Sequence, residues 1–330
     1  MISVAICTYN GEAYLARQLE SILAQTRPVD EIVLCDDGSS DGTLAVARQV
    51  LAGSSVRWAI HRNSPGLGVV KNFQRAISLC RGDIVFTSDQ DDVWKPEKVA
   101  VMMEAFEDPA CLLAFSDADI TAADGQTVTG RLWDSVYFTP ARRAAFDAGN
   151  YMLLCGGNVV TGACMAVRRA FARECMPFPT DGFLHDDWLA LCAASRGGLR
   201  PVSGRLIGYR QHGGNVVGVR RGGLWGKVCR WVSRLTDGKD RNRFDCLNRA
   251  LRLEAWPGRR RPLPQGWLDF CRQRAALAQK GRPAAAAWVA RRALAGDYRR
   301  FTALTVGCAA RDFLMALLGT SPDSAGKDTP

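Results

Sequence analysis

The sequence contains no CxxC pair, no phosphate-binding GxxxxGK[ST] motif and no uninterrupted apolar run of about 18 residues. The missing run excludes a transmembrane helix, and the missing glycine-rich loop argues against a nucleotide triphosphatase. The twelve cysteines are scattered, several of them in apolar runs where a free thiol packs as a small hydrophobe. This pattern favours a reducing, cytoplasmic compartment. The first residues lack a basic segment followed by a long apolar one, so we expect no signal peptide.

The charge of the chain is distributed unevenly. With 330 residues, 47% of them hydrophobic, the chain can bury one large domain plus an appendage, or two modest domains. The net charge of +10 combines an excess of 14 positive charges in residues 216–330 with an excess of 4 negative charges in the part before them. The glycines of residues 211–223 coincide with this change, so we predict a domain boundary there.

The first part of the chain alternates between short apolar runs and amphipathic segments. Strands are predicted at residues 2–7, 31–35, 56–60 and 83–88, and helices at residues 12–23, 44–52 and 69–80. Repeated strand, loop and helix units predict an α/β fold with a mostly parallel, doubly wound sheet. Such sheets bind ligands beyond the carboxyl ends of their strands, where the polar clusters of this sequence fall.

Three carboxylates, Asp89, Asp91 and Asp92, follow the fourth predicted strand within four positions. Burying like charges this close is costly unless a cation neutralises them. Mg²⁺ or Mn²⁺ is the natural candidate, because hard cations prefer oxygen ligands and Mg²⁺ is usually held by one or two carboxylates plus substrate phosphates. The alternative is a solvated acidic turn in which Asp92 caps the next helix.

Five motifs together make the sequence recognisable. In chain order they are VAICTYNGEAYLARQLESILAQT, DEIVLCDDGSSDGT, NSPGLGVVKNF, GDIVFTSDQDDVW and HDDWLAL. In this order and spacing they resemble the inverting glycosyltransferases of family 2 with the GT-A fold, and SDQDDVW with YRQHGGNVVG looks most like the rhamnosyltransferase-like branch. The resemblance covers roughly residues 1–217. It implies a GT-A glycosyltransferase domain over residues 1–217, followed by a basic, mainly helical C-terminal region over residues 218–330.

The resemblance also implies how a nucleotide-sugar donor, dTDP- or UDP-linked, is held. Asp37 accepts the N3–H of uracil or thymine, and cytosine is rejected because an unpaired buried acceptor costs on the order of 1 to 3 kcal/mol. The other nucleotide-contacting residues it implies are Thr8, Tyr9, Asp36, Asn63, Gly66, Gly68, Lys71 and Asn72. The competing interpretation of DDGSSDGT is a turn capping a helix through Ser39, Ser40 or Asp41, and the glycines near residue 66 also suit a plain turn.

By the same resemblance Asp91 binds the metal that bridges the donor's diphosphate, with Asp92 beside it, and Asp89 lies nearer the ribose. His212 completes the metal or diphosphate site, and Arg210 adds positive charge against the diphosphate. A lone histidine can equally be structural.

The catalytic base of an inverting transfer is a carboxylate that takes the acceptor hydroxyl's proton. The family pattern places it at Asp186, with Asp187 as the alternative. The competing interpretation is that both aspartates favour a helix N-terminus. His185 is expected to orient the adjacent loop, and residues 157–169 to form a strand and loop beside the acceptor.

The C-terminal region mixes arginine with Trp, Phe and Leu at helical spacing in residues 220–235 and 287–319. Such helices can lie in an anionic membrane interface, and Arg311 with Asp312 would keep the last one on the bilayer surface. The alternative is a helical subdomain with solvated arginines. The expected function is transfer of a sugar, with L-rhamnose as one candidate, to a glycan acceptor, in the family often lipid-linked, at the cytoplasmic face of the plasma membrane. Nucleic-acid binding is not expected.

Two other function classes compete with this expectation. A haloacid-dehalogenase-type phosphatase needs the spacing DxDx[TV], and Gly38 occupies the position of the second aspartate. A non-catalytic, membrane-associated scaffold that retains the fold is the other, and intact Asp91 and Asp186 argue against it.

Overall fold

The computed structural model describes residues 1–147, 154, 157–212, 241–260, 262–263, 265–302 and 305–318. The chain divides into two compact units. Unit 1 comprises Met1–Arg143 and Asn158–Gly218, and unit 2 comprises Ala144–Gly157 and Val219–Pro330. The predicted boundary at residue 217 and the basic segment 220–235 lie outside the described residues, so both stay predictions.

Unit 1 is built on a mixed sheet. Its strands are β1 (Ile2–Thr8), β2 (Glu31–Asp36), β3 (Arg57–Arg62), β4 (Ile84–Ser88), β5 (Val93–Trp94), β6 (Leu113–Thr121), β7 (Val128–Arg131), β8 (Met165–Arg168) and β9 (Leu199–Arg210). Their order in the sheet is β3, β2, β1, β4, β8, β6, β9, β5, with β7 paired to β6. The four predicted strands are confirmed as β1 to β4.

The two halves of the sheet differ in strand direction. Strands β3, β2, β1 and β4 are parallel, as are β6 and β9, whereas β8, β5 and β7 pair antiparallel to their neighbours. Strands β2 and β4 are buried along their whole length and β1 almost so, as their continuous apolar runs predicted. The predicted α/β fold class is confirmed, and the antiparallel strands extend its parallel core.

Helices connect the parallel strands β1 to β4, and further helices follow in the chain. They are α1 (Glu12–Leu23), α2 (Thr43–Ala52), α3 (Val69–Leu79), α4 (Lys98–Glu104), α5 (Leu132–Ser135), α6 (Pro140–Asp147), α7 (Arg169–Glu174) and α8 (His185–Ser195). Helix α1 buries Leu15, Leu19 and Ile22, which lie on one face of the helix.

The parallel arrangement places the ends of β1, β2 and β4 at one edge of the sheet. In the strand register, Thr8 lies beside Asp36, and Ile6 lies beside Ser88. The loops that follow these three strands, which carry the polar motifs of the sequence, therefore leave the sheet at the same edge.

Unit 2 is helical in its described part, with α9 (Arg241–Ala255), α10 (Trp267–Ala275), α11 (Arg282–Leu294), α12 (Asp297–Phe301) and α13 (Thr305–Leu318). These helices bury aromatic side chains against one another, with Phe270 contacting Trp288, Tyr298 and Phe301. None of the described helices is long and apolar enough to cross a membrane.

A buried polar group lies inside unit 2. Asp312 accepts hydrogen bonds from Arg274 Nε at 2.6 Å and from Tyr298 Oη at 2.7 Å, and both charged side chains are fully buried. Asp312 therefore forms a buried ion pair with Arg274 inside unit 2. In the sequence it also interrupts the apolar stretch of the last helix.

Candidate active site

A cavity of about 500 Å³ opens where the chain leaves β1 and β2. Its lining consists of Tyr9, Asp37, Gly38, Gly68 and residues 62–66. The sequence-predicted residues Tyr9, Asp37, Asn63 and Gly66 are therefore brought together, and Tyr9 stands at the rim with 60% of its surface exposed. Lys71 lies on an exposed position of α3 and is not part of the lining.

The loop over residues 63–68 is tied to the carboxylate of Asp37. Its Oδ1 accepts hydrogen bonds from Asn63 Nδ2 at 2.7 Å and Leu67 N at 2.6 Å, and its Oδ2 accepts from Gly68 N at 2.9 Å. A Cβ at Gly66 would lie 2.8 Å from the carbonyl oxygen of Asp37, so only glycine fits there without a shift. The Asp37 side chain is thereby held at the wall of the cavity.

Thr8 and Asp36, in contrast, do not line the cavity. Asp36 is fully buried, and its oxygens accept hydrogen bonds from Thr8 Oγ1, Ser39 Oγ and the amides of Gly38 and Ser39. Asp36 is the last residue of β2 and Asp37 is the first residue after it, and of the two only Asp37 lines the cavity. Thr8 and Asp36, which were expected to contact the nucleotide, therefore lie outside the cavity lining and hold the loop after β2.

In the acidic cluster after β4, Asp91 and Asp92 are buried and Asp89 is half-buried, and the pKa values of Asp89 and Asp92 are raised. Burial first, and then the neighbouring Asp91 and Asp186, raise the pKa of Asp89 to about 7. Burial, followed by Asp91 and Asp89, raises the pKa of Asp92 well above its ordinary value. Asp186 at the start of α8 therefore lies close enough to Asp89 for their charges to interact.

Asp91 and His212 form a close pair. His212 Nε2 lies 2.7 Å from Asp91 Oδ2, and the Tyr14 ring stacks on the imidazole with 4.5 Å between ring centroids. Arg210 Nε donates to the carbonyl oxygen of Asp91 at 2.8 Å and places its guanidinium 5.0 Å from the Tyr14 ring. Residues 91 and 212 are therefore brought together, and Tyr14, which the sequence did not indicate, packs against His212.

Asp92 does not join this pair. Its Oδ1 accepts the backbone N–H of Arg210 at 3.1 Å, which holds the carboxylate against β9, and only 1% of the residue is exposed. Within the described ranges, no group of three or more His, Cys, Asp or Glu side chains is arranged to hold a metal ion. Of the three residues expected to bind a metal, the structure brings Asp91 and His212 together and holds the Asp92 carboxylate against β9.

The start of α8 places Asp186 at the same site. Asp186 Oδ2 accepts the N–H of Gly162 at 2.8 Å, and its Oδ1 accepts the N–H of Asp187 at 2.6 Å. Burial first, and then the charge of Asp187, raise the pKa of Asp186 to about 7. Such a carboxylate can gain and lose a proton near neutral pH, which is what a general base requires.

His185 precedes Asp186 and Asp187 in α8, but its side chain is uncharged. Its ring stacks on Phe73 at 3.8 Å between centroids, and burial lowers its pKa to about 3, so the imidazole is neutral.

Two further polar side chains at the site carried no signal in the sequence. Gln90 bonds both backbone groups of Tyr9, accepting its N–H at 2.8 Å and donating to its carbonyl oxygen at 3.0 Å. Lys98 is fully buried on α4 and donates to the carbonyl oxygen of Ala163 at 2.8 Å, with its ammonium 3.8 Å from the Trp94 ring centroid. Burial lowers the pKa of Lys98 to about 8, while the charges of Cys164, Asp92 and Asp89 act in the opposite direction.

Comparison with known proteins relates this arrangement to glycosyltransferases. The family model described as glycosyl transferase family 2 matches residues 3–175. An uncharacterized glycosyltransferase of Nostoc sp. is 28% identical over 222 residues, which cover 65% of this chain and 66% of that protein. The putative teichuronic acid biosynthesis glycosyltransferase TuaG of Bacillus subtilis is 29% identical over 129 residues, which cover 38% of this chain and 49% of TuaG.

Among solved structures, S. aureus TarS (residues 1–349) in complex with UDP superposes with a TM-score of 0.54 at 13% identity. The superposition covers 96% of this chain and 88% of the TarS chain. The likeness supports the GT-A fold.

Proposed function

Because the chain belongs to glycosyltransferase family 2, we propose that it transfers a sugar from a nucleotide-sugar donor to a glycan acceptor, with inversion at the anomeric carbon. One observation carries this proposal. A carboxylate whose pKa is raised to about 7, Asp186, interacts with Asp89 of the acidic cluster at the edge of the sheet where the cavity beside Asp37 opens. This proximity supports a donor site and a general base in the same part of the molecule.

The donor's base belongs in the cavity beside Asp37. The Asp37 carboxylate is already oriented by Asn63, Leu67 and Gly68, so it can accept a pyrimidine N3–H without reorganising. Uracil and thymine both offer that donor, so a UDP- or dTDP-sugar fits, and the UDP bound by TarS supports the first of these. We place Asp89 nearer the ribose, and we keep dTDP-L-rhamnose as a candidate donor.

A divalent cation fits Asp91 and His212. A carboxylate oxygen and an imidazole nitrogen are ligands that Mn²⁺ accepts, and Mg²⁺ is commonly held by one or two carboxylates together with substrate phosphates. When bound, the cation would offset the charge that develops on the departing nucleoside diphosphate. Tyr14 and Arg210 support the two ligands. Tyr14 stacks on His212, and Arg210 donates a hydrogen bond to the backbone carbonyl oxygen of Asp91.

Asp186 takes the acceptor's proton. The acceptor oxygen forms a bond to the anomeric carbon while the bond from that carbon to the diphosphate oxygen breaks. The hydroxyl proton moves to Asp186, and the nucleoside diphosphate leaves with the electron pair. Two N–H groups fix the carboxylate, from Gly162 and Asp187, so it keeps one orientation. Asp187 remains the alternative base.

The acceptor is proposed to be a lipid-linked glycan in cell-surface polysaccharide synthesis at the inner face of the plasma membrane. The description of TuaG as a teichuronic acid biosynthesis glycosyltransferase supports a cell-surface polymer. In unit 2, Leu294 at the end of α11 is 90% exposed, and Arg291, Arg299 and Arg300, which flank it in the sequence, are exposed as well. A segment with an exposed leucine and exposed arginines suits an anionic lipid surface.

The donor assignment is tested by thermal unfolding with UDP-, dTDP- and GDP-sugars, each with and without Mn²⁺. A UDP- or dTDP-sugar at a hundredfold its dissociation constant should stabilise the protein by about 2.7 kcal/mol. Stabilisation by GDP-sugars alone, or by no nucleotide sugar, would contradict the proposed cavity.

The membrane assignment is tested by sedimentation with vesicles of phosphatidylglycerol and phosphatidylcholine, using vesicles of phosphatidylcholine alone as the control. The protein should bind only the anionic vesicles, and Leu294→Ser combined with Arg299→Glu should weaken that binding. Equal binding of the variant and the original protein would contradict the proposed contact.

A further inference from the structure

The short helical turn Gly162–Cys164 is held from three sides. Thr87 Oγ1 on β4 donates to the carbonyl oxygen of Gly162 at 2.5 Å, and Lys98 Nζ on α4 donates to the carbonyl oxygen of Ala163 at 2.8 Å. On the third side the N–H of Gly162 donates to Asp186 Oδ2 at 2.8 Å. Two side chains therefore fix the turn whose amide binds the proposed base.

The turn is also tightly packed on the side of His185. A Cβ at Gly162 would lie 2.6 Å from His185 Nε2, and the His185 ring is pressed against Phe73 on its other side. Residues 162–164 and His185 are all buried. Because the packing is this close, a small displacement of the turn must move the amide that Asp186 accepts.

Thr87 and Lys98, the two side chains that anchor this turn, lie close in sequence to the acidic cluster assigned to the donor. Thr87 precedes Asp89 by two residues, and Lys98 lies six residues after Asp92, so one segment carries both the acidic cluster and the anchors of the turn. The buried ammonium of Lys98 also interacts with Asp92 and Asp89, and it stands over the Trp94 ring. A buried lysine is retained only where such partners offset its desolvation.

We propose that Thr87 and Lys98 are positioning residues of the transfer reaction, which act by fixing the Gly162–Cys164 turn and through it the orientation of Asp186. Neither residue needs to touch the substrate for this role. The proposal rests on Asp186 being the base, as proposed above. It predicts that loss of either anchor lowers turnover with little change in donor binding.

The experiment compares two pairs of variants of the full chain. Thr87→Val removes the hydroxyl at nearly constant volume, and Thr87→Ser keeps a hydroxyl. Lys98→Met removes the buried ammonium, and Lys95→Met is its matched control, because Lys95 is a partly exposed lysine bound to Asp119 at 2.7 Å. Asp186→Asn reports separately on the base.

The first readout is hydrogen exchange of the Gly162 amide, which needs no substrate. Exchange should become about tenfold faster in Thr87→Val and Lys98→Met, and stay unchanged in Thr87→Ser and Lys95→Met. Unchanged protection in both Thr87→Val and Lys98→Met would overturn the proposal, whatever Asp186→Asn does.

The second readout is release of nucleoside diphosphate from the nucleotide sugar that stabilises the protein most in the thermal panel. For Thr87→Val and Lys98→Met, kcat should fall about ten- to hundredfold while donor affinity changes less than about threefold. The acidic limb of the kcat profile should move to higher pH in Thr87→Val, because the Gly162 N–H stabilises the charged form of Asp186 and lowers its pKa.

The controls separate the two proposals. If Lys98→Met does not fold, the Thr87 pair alone decides the result. Unchanged kcat and pH profile in Thr87→Val, with Asp186→Asn inactive, would overturn the positioning role and leave the base assignment standing. An active Asp186→Asn would instead contradict the proposed function.

Discussion

Replacing Asp186 by asparagine should abolish most of the turnover and, at the same time, stabilise the protein at alkaline pH. The substitution keeps the shape of the side chain but replaces the carboxylate, which can accept a proton, by a neutral amide. General base catalysis contributes typically 10²- to 10⁴-fold, so kcat should fall by about that factor. In the original protein the rate should rise as the pH passes about 7, the value to which burial, and then Asp187, raise the pKa of Asp186.

The gain in stability follows from the same pKa. Folding raises the pKa of Asp186 from 3.8 to about 7, so between these values the folded state holds a proton that the unfolded state has lost. Stability therefore falls as the pH rises through this window and stays lower above it, by about 4 kcal/mol at most. Asparagine carries no charge and avoids this loss. Its single oxygen can serve only one of the two N–H donors, however, which costs about 1 to 3 kcal/mol. The net gain at pH 8 should be about 2 kcal/mol.

Urea unfolding at pH 8 and pH 4, together with kcat at pH 8, checks both parts. The free energy of unfolding of Asp186→Asn should exceed that of the original protein at pH 8 and should not exceed it at pH 4. Asp187→Asn is the matched control and should retain the larger share of turnover. A variant that is less stable than the original at pH 8, or that keeps more than about a tenth of its turnover, would refute the reasoning.

Three further outcomes are expected. Asp91→Asn should remove the Mn²⁺-dependent part of the thermal shift given by a UDP-sugar, and a full Mn²⁺ effect in this variant would exclude Asp91 as a ligand. Asp37→Ala should weaken UDP binding by calorimetry about ten- to hundredfold, because the pyrimidine N3–H loses a buried acceptor; unchanged affinity would exclude the cavity. Asp312→Ala should lower the free energy of unfolding by about 3 to 5 kcal/mol in urea, because it leaves Arg274 buried without its carboxylate. A loss below about 1 kcal/mol would show that the pair is not a main support of unit 2.

The fold and the place of the site could be predicted because their signals are local. Continuous apolar runs predicted the buried strands β1, β2 and β4, and polar motifs immediately after each run indicated the edge of the sheet. The close pair of Asp91 and His212, 121 residues apart, was reached only through the resemblance to a known family. No local pattern relates two such positions.

Neighbouring residues with the same chemistry could not be told apart from the sequence. Asp36 and Asp37 are adjacent carboxylates, and only the structure shows that the first is fully buried and the second lines the cavity. The resemblance placed Asp92 beside the metal, but its carboxylate accepts the backbone N–H of Arg210, 118 residues away. Lys98 reads in sequence as an ordinary surface lysine of a helix, and its burial depends on the turn at residue 163.

The most direct test of the donor site is a crystal structure of the full chain with UDP and MnCl₂, with an anomalous difference map at the manganese edge. The account predicts the uracil in the cavity beside Asp37 and a manganese peak at Asp91 and His212. Nucleotide bound away from Asp37, or manganese bound away from Asp91, would contradict it.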